Sequence, residues 1–154
     1  VQAIHTTLVH GIRNPDHKET RFSQMPAFEG VLKPDEITDV IAHVQTISGQ
    51  RKADSASARG AALFATNCVQ CHGADGKGVR ELGGPNLTDP IWLFGGDTAT
   101  LRQTIRYSRQ GVMPRWNDKL DPVTIKMLAV YVHSLGGGEA APNPAPAAAS
   151  NVKP

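Results

Sequence analysis

Five consecutive residues, Cys68-Val69-Gln70-Cys71-His72, carry the most concentrated chemistry in this sequence. Two thiols three positions apart can bond to the two vinyl groups of one porphyrin, and the histidine that follows can hold the iron. Cys-x-x-Cys-His is the attachment pattern of a c-type haem. The sequence therefore predicts one covalently bound haem c on Cys68 and Cys71, with His72 as an axial ligand of its iron.

Three other uses of a cysteine pair fit the surrounding sequence less well. A closed zinc site needs four ligands at short paired spacings, but the chain has no second cysteine pair and no closely spaced histidine pair after Cys71. A thioredoxin-like redox pair needs a strand-helix-strand context, and the residues around Cys68 do not indicate one. A structural disulfide between these two cysteines would leave His72 without a role. Haem attachment accounts for all three side chains.

A methionine is the predicted second axial ligand, because a thioether favours Fe(II) and a filled sixth position keeps substrates from the iron. Met127 falls inside a predicted helix, where core packing is its expected role. Met113 lies in a predicted loop, 41 residues after His72, and Pro114 follows it. This spacing leaves room for a helix across the haem edge, so Met113 is predicted to ligate the iron held by His72. The carbonyl of Pro85 is the predicted acceptor for the other ring N–H of His72.

The motif is surrounded by segments with helical periodicity. Apolar residues at intervals of three and four predict helices over residues 1–13, 34–49, 58–67, 98–109 and 121–136. Pro34, Asp97 or Thr98, and Asp121-Pro122 mark the starts of three of these helices. Gly60 lies four positions before Phe64, on the same helical face, where a missing side chain would allow another helix to cross closely. The predicted fold class is all-α.

Composition narrows the possible classes of protein. The chain has 154 residues with only two Trp, two Tyr and four Phe, which is a small supply for two cores, and a haem would add a large apolar plate. The net charge of +2 gives no argument for nucleic-acid binding. No stretch approaches the twenty apolar residues that cross a bilayer. Residues 139–154, rich in Ala and Pro, are predicted to form a disordered tail.

One unit of sequence occurs twice, 88 positions apart. Without a gap, Met25, Pro26, Phe28, Leu32, Pro34, Ile37, Val44 and Gly49 align with Met113, Pro114, Trp116, Leu120, Pro122, Ile125, Val132 and Gly137. The first copy contains no Cys-x-x-Cys-His. Residues 1–50 are therefore predicted to be the C-terminal half of a first haem domain whose attachment motif precedes Val1. Residues 51–56 would be a linker and residues 57–138 a complete haem domain, and Met25 would ligate the first haem if that haem is present.

These motifs resemble those of two related groups of proteins. Gly60-x3-Phe64-x3-Cys68, Gly84-Pro85-Asn86-Leu87 and Gly111-Val112-Met113-Pro114 resemble class I cytochrome c domains across residues 57–138. The tandem copies, with Met25-Pro26-Ala27-Phe28 and Trp92-Leu93-Phe94-Gly95-Gly96, resemble the C-terminal part of the di-haem FixP/CcoP subunit of cbb-type haem-copper oxidases across residues 1–138. The resemblance implies a class I cytochrome c domain preceded by the C-terminal half of another.

The resemblance also implies a function and a place. It implies an electron carrier without catalysis of its own, which passes electrons toward a terminal oxidase in aerobic or microaerobic respiration. The expected partners are the other oxidase subunits, with a cytochrome c or a quinol-cytochrome c reductase as donor, on the periplasmic side of the bacterial inner membrane. Membrane attachment would need a segment that this sequence does not contain. Two alternatives stay open: a cytochrome subunit of a periplasmic dehydrogenase, and a haem enzyme or gas sensor with an open distal site.

Overall fold

The computed structural model describes residues 1–136, and its regular elements are helices, with only isolated bridges beside them. The helices are α1 (Gln2–His10), α2 (Pro34–Ile47), α3 (Ser55–Asn67), α4 (Val69–His72), α5 (Thr98–Tyr107) and α6 (Pro122–Gly136), and Arg80–Leu82 forms one 3-10 turn. The predicted all-α fold is confirmed. The predicted disordered tail, residues 139–154, lies outside the described residues.

Two helix ends differ from the prediction by three residues because of local capping. α3 begins three residues before position 58, because the Ser57 backbone N–H donates to Asp54 Oδ1 at 2.9 Å and the Asp54 N–H donates to Ser57 Oγ at 2.8 Å. α1 ends at His10 because Gly11, with a φ of 73°, turns the chain out of the helix. A side chain at Gly11 would also place Cβ 2.3 Å from the Met113 carbonyl oxygen.

The main core forms where α2 crosses α3, with α5 against α2. Gly60 on α3 lies directly at the crossing, where a Cβ atom would be 1.9 Å from the Asp39 carbonyl oxygen of α2. Gly60 therefore permits the close helix crossing that the sequence predicts. The buried residues of this core are Phe28, Ile37, Val40, Ile41, Val44, Phe64, Leu101 and Ile105.

The two repeat copies, which the predicted linker of residues 51–56 separates in sequence, pack against each other. α2 comes from the first copy, yet it packs on α3 and α5 of the second, while α6 of the second copy packs on α1 of the first. Backbone hydrogen bonds show the same exchange: the Phe28 N–H donates to the Ile105 carbonyl at 3.0 Å, and the Trp116 N–H donates to the Leu8 carbonyl at 2.9 Å. The last helix of each copy thus packs on helices of the other copy.

The helix α6 is only partly covered within residues 1–136. Ile125 and Ala129 are buried, whereas Val130, Tyr131 and Leu135 are more than half exposed. α2 buries five residues, so the two equivalent helices differ in how much apolar surface they cover. Among the described helices, none combines the length and the apolar character needed to cross a membrane.

Candidate functional site

The Cys-x-x-Cys-His segment is held at the junction of α3 and α4. The Cys68 N–H donates to the Phe64 carbonyl at 2.9 Å, which completes α3, and the His72 N–H donates to the Cys68 carbonyl at 2.9 Å, which closes α4. The two thiols are free and partly buried, and His72 is buried. One helical turn therefore presents both thiols and the imidazole together, as attachment to one porphyrin requires.

The protonation of Cys68 distinguishes this pair from a reactive one. Burial, followed by the nearby Cys71, raises the pKa of the Cys68 thiol to about 11. Redox-active Cys-x-x-Cys pairs and thiolate zinc sites depend on a lowered thiol pKa. Within residues 1–136, the one group of three or more metal-ligating side chains lies elsewhere, at His10, His17 and Glu19. The raised pKa of the Cys68 thiol therefore disfavours a reactive thiolate at that position.

The orientation and charge of His72 suit an iron ligand. Its Nδ1 lies 3.0 Å from the carbonyl oxygen of Pro85, the residue that the sequence predicts as its partner. Because a carbonyl can only accept, Nδ1 carries the proton, and Nε2 of the neutral ring keeps its lone pair. Burial lowers the pKa of His72, although the Pro85 hydrogen bond opposes the shift. The imidazole is thus neutral and fixed, with Nε2 available to a metal.

The loop that carries Pro85 is attached to the motif by close backbone contacts. The Gly78 N–H donates to the His72 carbonyl at 2.7 Å, and the Val79 N–H donates to the Cys71 carbonyl at 2.8 Å. Gly84 approaches so closely that an added Cβ would lie 1.8 Å from the Cys71 carbonyl oxygen. This contact is the reason for a glycine before Pro85, and it sets the position of the Pro85 carbonyl. Sequence reasoning placed Gly84 only in a family motif and gave it no structural role.

The two candidate methionines lie in different parts of the structure. Met25 packs against the main core together with Cys68 and with the partly buried side chains of Val69, Leu87 and Trp92. Met113 instead pairs with the end of α1: its N–H donates to the Ile12 carbonyl at 2.9 Å, and its carbonyl accepts from the Ile12 N–H at 3.0 Å. The packing therefore brings Met25, rather than Met113, to the apolar cluster that contains Cys68. Met113 as the ligand opposite His72 stays a prediction from spacing.

Two further contacts hold the Met25 segment beside the motif. The Ser108 hydroxyl donates a short hydrogen bond to the Met25 carbonyl, which ties the segment to the end of α5. The Ser23 hydroxyl donates to the carbonyls of Leu82 and Gly83 at 3.2 Å, in the loop that leads to Pro85. The signal that could have indicated this placement is the repeat itself, because equivalent segments can exchange partners.

The residues around the motif fit a haem. A porphyrin needs two thiols, a neutral imidazole and an apolar surround, and the described residues supply each of these. Phe64 lies against His72 with ring centroids 6.4 Å apart, and apolar side chains of the core approach Cys68 and Val69. The same residues do not fit a closed zinc site, because within the described residues neither thiol belongs to a group of three or more closely spaced ligand atoms.

Comparison with known proteins gives consistent matches over most of the chain. The family model described as cytochrome c oxidase, cbb3-type, subunit III matches residues 55–132. The Cbb3-type cytochrome c oxidase subunit CcoP of Cereibacter sphaeroides is 52% identical over 141 residues, covering 90% of this chain and 49% of that protein. Subunit FixP of Bradyrhizobium sp. strain ORS 278 is 53% identical over 143 residues, again covering 90% and 49%.

A more distant relative gives the same family. Subunit FixP of Rhizobium meliloti is 45% identical over 139 residues, covering 90% of this chain and 48% of that protein. The chain thus spans about half the length of the curated relatives it matches. With half of its residues matched by the family model and nine-tenths aligned to these relatives, the chain belongs to the family of subunit III of cbb3-type cytochrome c oxidases.

Proposed function

We propose that this chain transfers electrons through a covalently bound haem c, with Cys68 and Cys71 as the attachment residues and His72 as an axial ligand. The observation that carries the proposal is the arrangement of His72, whose Nδ1 donates to Pro85 while Nε2 keeps its lone pair beside two free thiols. The family supports it, because this is a family of cytochrome c subunits.

When bound, the haem supplies an iron that alternates between Fe(II) and Fe(III). The protein's own residues keep that change simple. The two cysteines would fix the porphyrin covalently, and the Pro85 carbonyl holds the His72 ring in one orientation, which would keep the imidazole in place in both oxidation states. A methionine thioether in the second axial position excludes substrates, which makes the chain a carrier and not a catalyst.

We propose Met25 as that second axial ligand, in place of the Met113 predicted from spacing. Three contacts support Met25: its packing against the core that includes Cys68, the Ser108 hydrogen bond to its carbonyl, and the Ser23 hydrogen bonds to the loop before Pro85. Met113, paired with Ile12, would then serve a first haem in the other unit, together with α1 and α6. The sequence-based assignment is the reverse, with Met113 opposite His72 and Met25 at the first haem.

A first haem would need an attachment motif outside this sequence. The relatives are about twice as long as the matched region, which supports such a segment. The exposed apolar residues of α6, including Val130 and Leu135, support it as well, because their equivalents in α2 are Ala42, which is buried, and Ile47, which is half-buried. We assign residues 1–50 to a first cytochrome c domain and residues 57–138 to a second, as the sequence predicts. In this proposal the C-terminal halves of the two domains are exchanged.

The partners and location follow from the same proposal. The chain would pass electrons to the other subunits of a cbb3-type oxidase, and it would receive them from a cytochrome c or a quinol-cytochrome c reductase. It would work on the periplasmic side of the bacterial inner membrane. A cytochrome subunit of a periplasmic dehydrogenase would contain the same haem site, and a reconstituted oxidase assay distinguishes the two by the acceptor that is reduced.

The test uses the 154-residue chain, matured with haem and checked by a pyridine haemochrome assay for one haem per polypeptide. The ferric spectrum, including the charge-transfer band of a thioether-iron bond, is recorded for the wild type, Met25→Ala and Met113→Ala, and carbon monoxide is added to each reduced form. We expect the wild type and Met113→Ala to be low-spin and to refuse carbon monoxide. Met25→Ala should become high-spin and bind it.

Two other results would be decisive. If Met113→Ala loses the thioether band and Met25→Ala keeps it, the exchange of methionines is refuted, while electron transfer stands. If the wild type already binds carbon monoxide and shows no thioether band, the distal site is open and the electron-carrier proposal is refuted in favour of a haem enzyme or gas sensor.

A further inference from the structure

A second cluster of metal-ligating side chains lies far along the chain from the haem motif. His10 ends α1, and His17 and Glu19 belong to the loop that follows. His10 Nδ1 lies 2.9 Å from His17 Nε2 and 3.3 Å from Glu19 Oε2, and His17 Nε2 lies 3.8 Å from Glu19 Oε2. Three potential ligand atoms from three side chains therefore meet at one place.

We propose that His10, His17 and Glu19 form a binding site for a divalent cation of the zinc class. In a tetrahedral zinc site with bonds of about 2.0–2.2 Å to nitrogen and oxygen, neighbouring ligand atoms lie about 3.3 Å apart. The three separations here, 2.9, 3.3 and 3.8 Å, lie close to that value, so the three ligand atoms have nearly the spacing that one cation requires. Two imidazoles and a carboxylate are ligands that zinc accepts, with the fourth position left to water.

The surroundings leave room for that fourth ligand. A cleft of about 490 Å³ borders His10 and Glu19, and Thr6 and Thr7 also line it. The carboxylate of Glu19 is 72% exposed, so a cation can reach it, while the His17 side chain is only 13% exposed and is held in place.

The charged neighbours do not prevent cation binding. Arg115 donates to the far ring nitrogen of His17, Nδ1, at 3.4 Å, so the proton of the neutral His17 ring is on Nε2, and a cation bound there would displace that proton. The Arg115 guanidinium also pairs with the Asp118 carboxylate at 2.5 Å. Arg21, Arg80 and Glu81 also line the cleft. The carboxylate of Glu19 thus remains the acidic group that meets both imidazoles.

The position of the site within the repeat suggests its role. Twelve residues separate Ile12 from Met25, whereas seven separate the equivalent Ile105 from Met113, so this loop is five residues longer than its counterpart. His17 and Glu19 lie in the longer loop, which leads from α1 to the Met25 segment beside the haem motif. A bound cation would join this loop to the end of α1 and so stabilise the passage between the two units.

The test measures zinc binding directly on the haem-loaded chain after treatment with a chelator. Isothermal titration with zinc chloride compares the wild type with His17→Gln, Glu19→Gln and the matched control His5→Gln, which changes a histidine of α1 outside the cluster. We expect one zinc per chain for the wild type and for His5→Gln. Removing one of three direct ligands should weaken binding at least about tenfold, since even groups that only orient a ligand change metal affinity by that factor.

Glu19→Gln should leave the fold intact, because the Glu19 side chain is largely exposed. An unchanged haem spectrum confirms for each variant that the haem site is intact. Zinc should also raise the melting temperature of the wild type and of His5→Gln, and raise that of His17→Gln less. The proposal is overturned if the wild type binds no stoichiometric zinc, or if His17→Gln and Glu19→Gln bind it as tightly as His5→Gln. Neither result depends on which methionine ligates the iron.

Discussion

Replacing Gly60 by alanine tests the helix crossing on which the core depends. The new Cβ atom would lie 1.9 Å from the Asp39 carbonyl oxygen, 2.5 Å from the Asp39 carbonyl carbon and 3.0 Å from His43 Cβ. The two closest atoms belong to the backbone of α2, so no side chain can rotate to make room. Cβ atoms essentially never approach another heavy atom more closely than 3.0 Å, so α2 must move away from α3 by about 1 Å, the difference between that limit and the 1.9 Å separation.

The size of the effect follows from two opposing terms. Overpacking a core costs roughly 1–3 kcal/mol, and a collision with rigid backbone belongs at or above the upper end of that range. Alanine favours the helix over glycine by about 1 kcal/mol, which opposes the loss. The net loss is therefore about 2 kcal/mol. For a chain of this size each kcal/mol lowers the melting temperature by about 2–4 °C, so we expect a decrease of about 4–8 °C.

The measurement is thermal unfolding of the haem-loaded chain, followed by circular dichroism with the iron kept in one oxidation state. Gly136→Ala is the matched control, because it also places alanine in a helix, but the new Cβ meets no atom of another part of the described chain within 4 Å. The control should melt at the wild-type temperature or slightly above it. A Gly60→Ala protein that melts no lower than the wild type would refute the close crossing of α2 and α3.

Two further predictions concern the haem loop and a helix cap. Gly84→Ala should displace the Pro85 carbonyl, because its Cβ would lie 1.8 Å from the Cys71 carbonyl oxygen. Without that hydrogen bond His72 becomes a weaker electron donor to Fe(III), so potentiometric titration should show a higher reduction potential. The control Gly111→Ala should keep the wild-type reduction potential. Asp97 caps α5, and hydrogen bonds from the Thr100 side chain and backbone lower its pKa. Its stabilising effect is therefore present above the unfolded value of about 3.9 and disappears as the pH falls through the lower folded value. Asp97→Ala should melt below the wild type at neutral pH, and the difference should shrink as the pH falls below the unfolded value of about 3.9. A difference that stays constant with falling pH would contradict the ionic cap.

Local signals were sufficient to predict most of the helices. Pro34 with two acidic residues behind it starts α2, and Asp97 starts α5, as the sequence indicates. The prediction missed the start of α3, because Asp54 and Ser57 form a reciprocal cap that apolar spacing does not report. It also missed α4, whose four residues are too few to show a periodicity. The haem motif and the hydrogen-bond partner of His72 could be read directly, since both depend on residues close in sequence or in one motif.

The pairing of the two copies could not be read from these signals. Met25 and Met113 have the same following residue and the same distance to the next helix, so local sequence gives each the same conformation. Apolar spacing is also shared, because Ile37 in α2 and Ile125 in α6 occupy equivalent positions and both are buried. Only the differences between the copies can determine which back half packs on α3.

Those differences are polar and favour the exchanged arrangement. Arg59 of α3 forms a bidentate ion pair with Asp39 of α2, with both nitrogen–oxygen distances at 2.7 Å, whereas the residue equivalent to Asp39 in α6 is Met127. Arg106 of α5 pairs with Glu29, whose equivalent in the second copy is the uncharged Asn117.

An unexchanged pairing would leave both guanidinium groups without these carboxylates. Each pair is exposed and contributes little stability by itself. The two ion pairs instead favour one packing of the copies over the other, because two packings with equally apolar interfaces differ mainly in which charged groups are paired. The longer loop before Met25 also favours the exchanged arrangement. In that arrangement the chain must pass from one copy's helices to the other's, and the five extra residues of this loop lengthen the connection. The exchange is thus specified by features that distinguish the copies, while the features that they share specify only the helices.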